Sequence, residues 1–326
     1  MTAIYEEERF RAMLRRRGVE EESYVKAVAA CQTFLEGEGI VPGGASVQDL
    51  REYLDARLLC GDDVLGEIPA LAAYSALIGD MESHSYLHSL LNAEGVLEAM
   101  AERLQQLEGD PVCSRVMDGV IIPQATAPLE LYPPEVAKFL GQLQQELPRE
   151  RCLEVLTGNF HRIPVESFDA KKARFEASMD IDSFLAGERD ILLEELEDCL
   201  SSGRLWHEHA VSEELLSLVR QDDTMGAGRR LGDRIIHTKI PFDAVALVAE
   251  RDPVLRRFHV CHCPLVRTSI RDGVPVPAVF CQCSAGFTRL PYEVLFGEIP
   301  KVEVLETALG GAERCRFAIS IPKQVR

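Results

Sequence analysis

The segment KVEVLETALGGAERCRFAISI, residues 301–321, decides the fold class. Apolar and polar side chains alternate over 301–307 and again over 314–321, the period of a half-buried strand. Gly310 and Gly311 lie between the two runs and mark a β-hairpin. Working back from it, RIIHTKI (234–240) reads as another strand, ended by Pro241. RFHVCHC (257–263), stopped by Pro264, is expected as a further strand, and so is the stretch from Pro277 to Cys283. Ser284 is expected to cap a short helix to about Phe296, with Pro291 at its start or at a kink. Residues 229–326 therefore read as an α+β domain with a mainly antiparallel sheet and packed helices.

Upstream the period is helical. Tyr24, Val25, Val28, Ala29, Cys31, Phe34 and Leu35 recur with helical spacing, and the run stops among Gly37, Gly39, Gly43 and Gly44. Ser46 or Asp49 is placed to cap a helix through Leu50, Tyr53, Leu54 and Leu58. Further helical patterns cover about 65–78 and 83–107, so residues 1–108 are expected as a helical bundle. Residues 109–134 hold Pro111, Pro123, Pro128, Pro133 and Pro134 and read as a proline-rich connection. Helical signals return over 135–228, expected as a segment packed on the C-terminal domain. Its acidic run, Glu188 to Asp198, reads as a solvated helix face.

Charge and cysteine divide the chain as the periodicity does. Of 35 Lys/Arg and 53 Asp/Glu, residues 229–326 hold 15 and 10, so the front is strongly acidic and the back mildly basic. That balance argues against nucleic acid as a general partner, because phosphate binding requires clustered Lys and Arg. No run of about 18 apolar residues exists, and Met1 to Arg17 is charged throughout, so neither a membrane span nor a signal peptide is expected. The expected compartment is the cytoplasm, where closely spaced cysteines serve as metal ligands or redox groups more often than as disulfides.

Cys261, Cys263, Cys281, Cys283 and Cys315 fall within 55 residues. On a strand, residues two apart face one side, so each C-x-C pair is expected to present two thiols together. Cys315 alternates in phase with Phe317 and Ile319 and is expected on the same interior. By the same rule His262 is expected to point away from its cysteine neighbours. A thiol set of this density suits Zn²⁺. Arg256, Arg257, Arg267, Arg314 and Arg316 are expected to favour thiolate over thiol by charge attraction. Two other readings stay open: small buried core residues, and redox or nucleophilic thiols.

Other features carry less. His237 and Lys239 share a strand face, which fits an exposed face first and the lining of a pocket second. Thr157 to Pro164 reads as a polar turn. His207 and His209 have metal-compatible spacing without a third ligand. The glycines of 226–232 fit neither dinucleotide nor phosphate-loop spacing, and no βαβ unit precedes them.

The order CHCP (261–264), CQCSAGF (281–287), FG (296–297) and VEVLETALGGAERCRFAI (302–319) resembles the small-molecule-binding domain named after 4-vinyl reductase. From about Asp118 to the end, the chain resembles an uncharacterised bacterial family with that domain at its C-terminus. The C-terminal pattern is also similar, more distantly, to L-2-amino-thiazoline-4-carboxylate hydrolase. The resemblance implies a pocket for a small hydrophobic or aromatic molecule. It also implies a zinc held by nearby cysteines, with Cys315 and Cys281 or Cys283 at the matching positions. The doubled C-x-C pairs depart from the family pattern.

Two functions are therefore expected. The first is small-molecule binding or sensing beside a cysteine-bound zinc, with His237, Lys239, His259 and Arg267 as candidate ligand-binding residues. The acidic front would then act as a lid, a homodimer surface or a partner-docking element. The second is hydrolysis of a small cyclic amide or thiazoline by a metal-bound water or an activated cysteine, with His237, Lys239 or His259 as the first suspects.

Overall fold

The amphipathic spacing upstream folds as read, and the capping residues set its punctuation. A computed structural model describes residues 5–41 and 43–325. The chain forms two compact units, one comprising residues up to Glu94 with Pro123–Pro128, the other Gly95–Ile122 with everything from Leu129.

The first unit contains α1 (Glu7–Arg17), α2 (Glu21–Gly37), α3 (Val47–Leu59), α4 (Val64–Ile78) and α5 (Met81–Ala93). Ser46 and Asp49 form a reciprocal capping box at the start of α3, each side chain satisfying the other's backbone N–H. Phe10, Leu14, Val28, Tyr53, Leu54, Ile68 and Leu87 fill the core. The helical pattern over 83–107 is interrupted by Gly95, whose φ of 71° lies in the left-handed region that glycine enters freely.

The second unit begins with α6 (Val96–Glu108), α7 (Asp110–Val116), α8 (Tyr132–Glu146) and α9 (Arg149–Leu156). It continues with α10 (Asp169–Ala177), α11 (Ile181–Ser202) and α12 (Glu213–Gln221) before the first strands. Pro111 sits in the first turn of α7 and Pro133 in the first turn of α8, where a missing N–H costs nothing. The sheet comprises β1 (Arg229–Leu231), β2 (Arg234–Thr238), β3 (Val302–Glu306) and β4 (Arg316–Ser320). It is antiparallel in the order β1-β2-β4-β3, so the fold is α+β. Helices α13 (Ala244–Ala249), α14 (Pro253–Val260), α15 (Arg267–Asp272) and α16 (Gln282–Phe296) lie between β2 and β3 in sequence.

One face of the sheet carries Ile235 and Ile319, both fully buried against Tyr292 and Leu295 of α16 and Phe184 and Leu185 of α11. Burying side chains of this size contributes about 1.5–3 kcal/mol each. Because Ile235, His237 and Lys239 share a parity along the chain, this packing aims Lys239 at the start of α16. Pro291 lies inside α16, so the carbonyl of Phe287 has no proline N–H to receive.

The acidic face of α11 is not uniformly solvated. Glu188 is only 9 % exposed and accepts hydrogen bonds from Arg174 Nε at 2.6 Å and Nη2 at 3.2 Å. Lys171 Nζ lies 3.2 Å from the same carboxylate. Burial pushes the Glu188 carboxyl up, but the Arg174 hydrogen bonds and the Lys171 charge outweigh it and hold it below its ordinary 4.5. A lowered carboxyl pKa gives stability that is present above the ordinary value and lost as pH falls through the folded one. Glu188→Gln is therefore expected to cost about 1–2 kcal/mol at pH 7. It should also flatten the loss of stability below pH 4.5, both effects read from urea titrations across pH.

Candidate metal centre

The first C-x-C pair does not lie on a strand. Asp252 accepts from the N–H groups of Val254 at 2.7 Å and Leu255 at 3.2 Å, and Pro253 takes the first helical position. That cap and proline start α14, which ends at Val260. Cys261, His262 and Cys263 follow as an irregular link, so the strand expected over 257–263 is corrected. The second pair is not on a strand either. Pro277 opens a 3₁₀ turn over Ala278–Cys281 that runs into α16, with Cys281 at its junction and Cys283 in the first turn. Ser284 lies inside this helix rather than capping it.

The five thiols nevertheless meet. Cys261, Cys263, Cys281, Cys283 and Cys315 line one recess together with Lys239, His262, Ser284 and Thr307. Cys315 directly precedes β4 as Lys239 directly follows β2, and the Lys239 N–H donates to the Cys315 carbonyl at 2.9 Å. The sheet register thus places the thiol beside the amine. The Ala308 N–H donates to the Cys315 sulfur at 3.4 Å. Thr307, beside Cys281 in the recess, opposes part of the effect of burial on that thiol. Among the described residues no carboxylate lines the recess, which leaves about 30 Å³ open to atom centres. That is room for a metal ion and a small ligand, not for a multi-ring molecule. Among the described residues, no three of the cysteine sulfurs all lie within 4.8 Å of one another.

Burial is the main influence on these thiols. It pushes Cys283 up to about 12 and raises Cys261, Cys263, Cys281 and Cys315 as well, so without a metal they hold their protons at neutral pH. The expected effect of neighbouring arginines is corrected on the same ground. Arg256 is occupied by Glu313 at 2.9 Å, Arg314 by Glu306, Arg316 by the Thr238 hydroxyl at 3.2 Å, and Arg257 by the Ala308 carbonyl at 3.3 Å. Two cations differ. Lys239 donates to Ser284 Oγ at 3.0 Å and sits 5.0 Å from the Phe287 ring centre. The Arg267 guanidinium is stacked 3.9 Å from Phe242 and 4.7 Å from Phe258. Neither pairs with a carboxylate among the described residues.

His262 was expected to face away and instead joins the thiols, because an irregular link does not impose strand alternation. Its Nε2 hydrogen-bonds the Ile240 carbonyl at 2.5 Å, so that nitrogen carries the proton and Nδ1 is bare. Burial, with the charge of Lys239, lowers His262 to about 3 and keeps the ring neutral. His209 packs 5.6 Å from it and 5.3 Å from Phe242. A neutral imidazole with one nitrogen fixed by a carbonyl has the arrangement that metal-binding histidines adopt.

The candidate ligand-binding residues separate. Lys239 lines the recess, whereas His237, His259 and Arg267 do not. His237 lies on β2 opposite Phe317, its Nδ1 buried without a hydrogen bond, and burial lowers it to about 3. His259 packs on Phe258 at the end of α14. Beyond the recess, Phe287 is 40 % exposed and meets His161 edge-on at 5.7 Å. Burial and the Lys239 charge lower His161. Sequence reasoning noted the turn that carries His161 but gave it no role.

That turn is held by a close approach. A Cβ on Gly286 would lie 2.6 Å from the backbone N and 2.7 Å from the backbone O of Gly158. Only glycine fits at this point of SAGF, since neither neighbour is a movable side chain. Comparison with protein-family models, curated proteins and solved structures finds no match to this chain. Gly286→Ala is expected to cost about 2 kcal/mol or more by overpacking. Gly141→Ala, where an added Cβ meets nothing within 4 Å, should be neutral or stabilising by up to about 1 kcal/mol in the same denaturation assay.

Proposed function

We propose that this chain is a small-molecule-binding or sensing protein in which a cysteine-bound zinc ion forms one wall of the recess beside β4 and α16. The observation that carries this reading is the donor set. Five soft sulfur donors from three separate segments converge where no carboxylate intrudes, and soft donors without oxygen select Zn²⁺ over hard cations. Charge supports it further. Zinc with four thiolates is a dianion, and Lys239 is a nearby cation that pairs with no carboxylate among the described residues. The cysteines, with His262 Nδ1 as a nitrogen donor, are the residues that would hold the ion.

The fit is chemical first and geometric second. A Zn–S bond of about 2.3 Å sets tetrahedral sulfurs about 3.8 Å apart. Rotation about a cysteine χ1 between staggered wells moves its sulfur by about 3 Å, so rotamer change is the route to closure. Bound zinc would hold the thiols as thiolates, reversing the effect of burial. Lys239, Ser284, Phe287 and His161 then offer a cation, a hydroxyl and an aromatic face to a small ligand. The resemblance to the 4-vinyl reductase-type domain is in keeping with this division of labour. Among the described residues no helix is long and apolar enough to cross a membrane. We place the protein in the cytoplasm, where such thiols stay reduced, with a small molecule rather than nucleic acid as its partner.

Elemental analysis and thiol titration of the purified full chain test this reading. About one zinc per chain is expected, with four of the recess thiols reacting only after chelation, while exposed Cys60 reacts at once. Cys283→Ser and Cys315→Ser should each lower zinc affinity by roughly ten-fold or more. A folded chain that takes up no zinc from micromolar solution, with all five thiols titrating independently of chelator, overturns it.

A further inference from the structure

A second cavity lies wholly within the helical unit, and its chemistry differs from that of the recess. It opens between α2, α3 and α4, beside Ile40 and Ala45, and is walled by Val28, Leu35, Leu50 and Leu71. About 40 Å³ is open to atom centres. That is several times the ~10–15 Å³ that one water requires.

The polar groups around it define what it would accept. Gln32 Nε2 donates to the Tyr74 hydroxyl at 2.7 Å, and that hydroxyl donates to the Tyr5 carbonyl at 2.9 Å. The Tyr5 N–H donates to Gln32 Oε1 at 3.2 Å, so this network is closed on itself. Cys31, pushed up to about 12 by burial, is a neutral thiol. Asp80 at the edge is engaged, accepting from the Ser83 N–H at the start of α5. Ser75 alone is left. It lines the cavity, is 94 % buried by its 6 % exposure, and makes no side-chain hydrogen bond among the described residues. Ser89 and Thr33 turn their hydroxyls onto the carbonyl four residues earlier, whereas Ser75 does not. Its oxygen is not among the sealed, unpartnered side-chain atoms, so it is reached from the cavity it lines.

We infer that this cavity is a binding site for a small neutral molecule, a single ring or short aliphatic body bearing one hydroxyl, whose polar atom pairs with Ser75 Oγ. Among the described residues no cation lines the cavity to receive an anion, and the apolar walls reward a body without further polar atoms. The inference does not rest on the proposed zinc site, since every residue it uses belongs to the other unit.

Phenol and toluene, which differ by hydroxyl against methyl, are the probes, titrated against the full chain by ligand-observed NMR with thermal unfolding alongside. Phenol is expected to bind, to raise the unfolding temperature, and to bind about five- to ten-fold tighter than toluene. Ser75→Ala should bring the two within about two-fold of each other while leaving toluene affinity unchanged. Ser75→Leu fills the cavity from α4 and should weaken both by at least about ten-fold. Val28→Phe fills it from α2 and gives the same reading if Ser75→Leu does not fold. Phenol binding that survives filling in a folded variant, equal affinity for the two probes in the unaltered chain, or no binding of either overturns the inference.

Discussion

The second unit depends on one close approach, that of α16 to the backbone of Thr157 and Gly158, permitted because Gly286 has no side chain. From that contact the other placements follow. With α16 seated, Tyr292 and Leu295 cover the sheet face at Ile235 and Ile319. The first turn of the same helix then carries Cys283 and Ser284 to the ends of β2 and β4. A larger residue at 286 would lift the helix and move the thiols with it. The site is therefore fixed by an absence of atoms at one position as much as by the donors themselves.

The recess combines two opposed demands. Burial makes each thiol a poor anion, while the Lys239 ammonium in the same recess favours negative charge there. Under the proposed function a bound metal ion would resolve both at once, ionising the sulfurs and giving Lys239 a charge to balance. Arg267 is meanwhile held by the faces of Phe242 and Phe258, which favour a guanidinium without neutralising it.

Much of this was legible in the sequence, and the failures have definite causes. Alternation over 301–307 and 314–321 identified the hairpin, and Ser46 with Asp49 identified the start of α3. The gathering of the five cysteines in one interior was also legible, although the reasoning assumed strands that do not exist; that Lys239 joins them was not. Over 257–263, Asp252 and Pro253 were the available signal: an N-cap followed by proline outweighs three alternating residues. Proline at 277 carried the same message for the second pair. His262 was missed because its expected direction depended on the strand. Gly286 and Glu188 depend on partners distant in sequence, Gly158 and Arg174 respectively, and no local pattern discloses such pairings. The cavity under Ser75 is likewise a property of how three helices meet.

The strand order has a consequence for how the site comes into being. β2 ends at Thr238 and its inner neighbour β4 begins at Arg316, with four helices and β3 made in between. As the chain emerges from the ribosome, Cys261 to Cys283 are all exposed before the strand that closes their enclosure has been synthesised. The inner edge of β2 stands unpaired through the same interval. Contacts this distant along the chain form slowly, since loop closure must precede any gain from pairing. For that interval the thiols are accessible to oxidants and to competing metals. The four sulfurs therefore gain their enclosure only when β4 inserts beside β2.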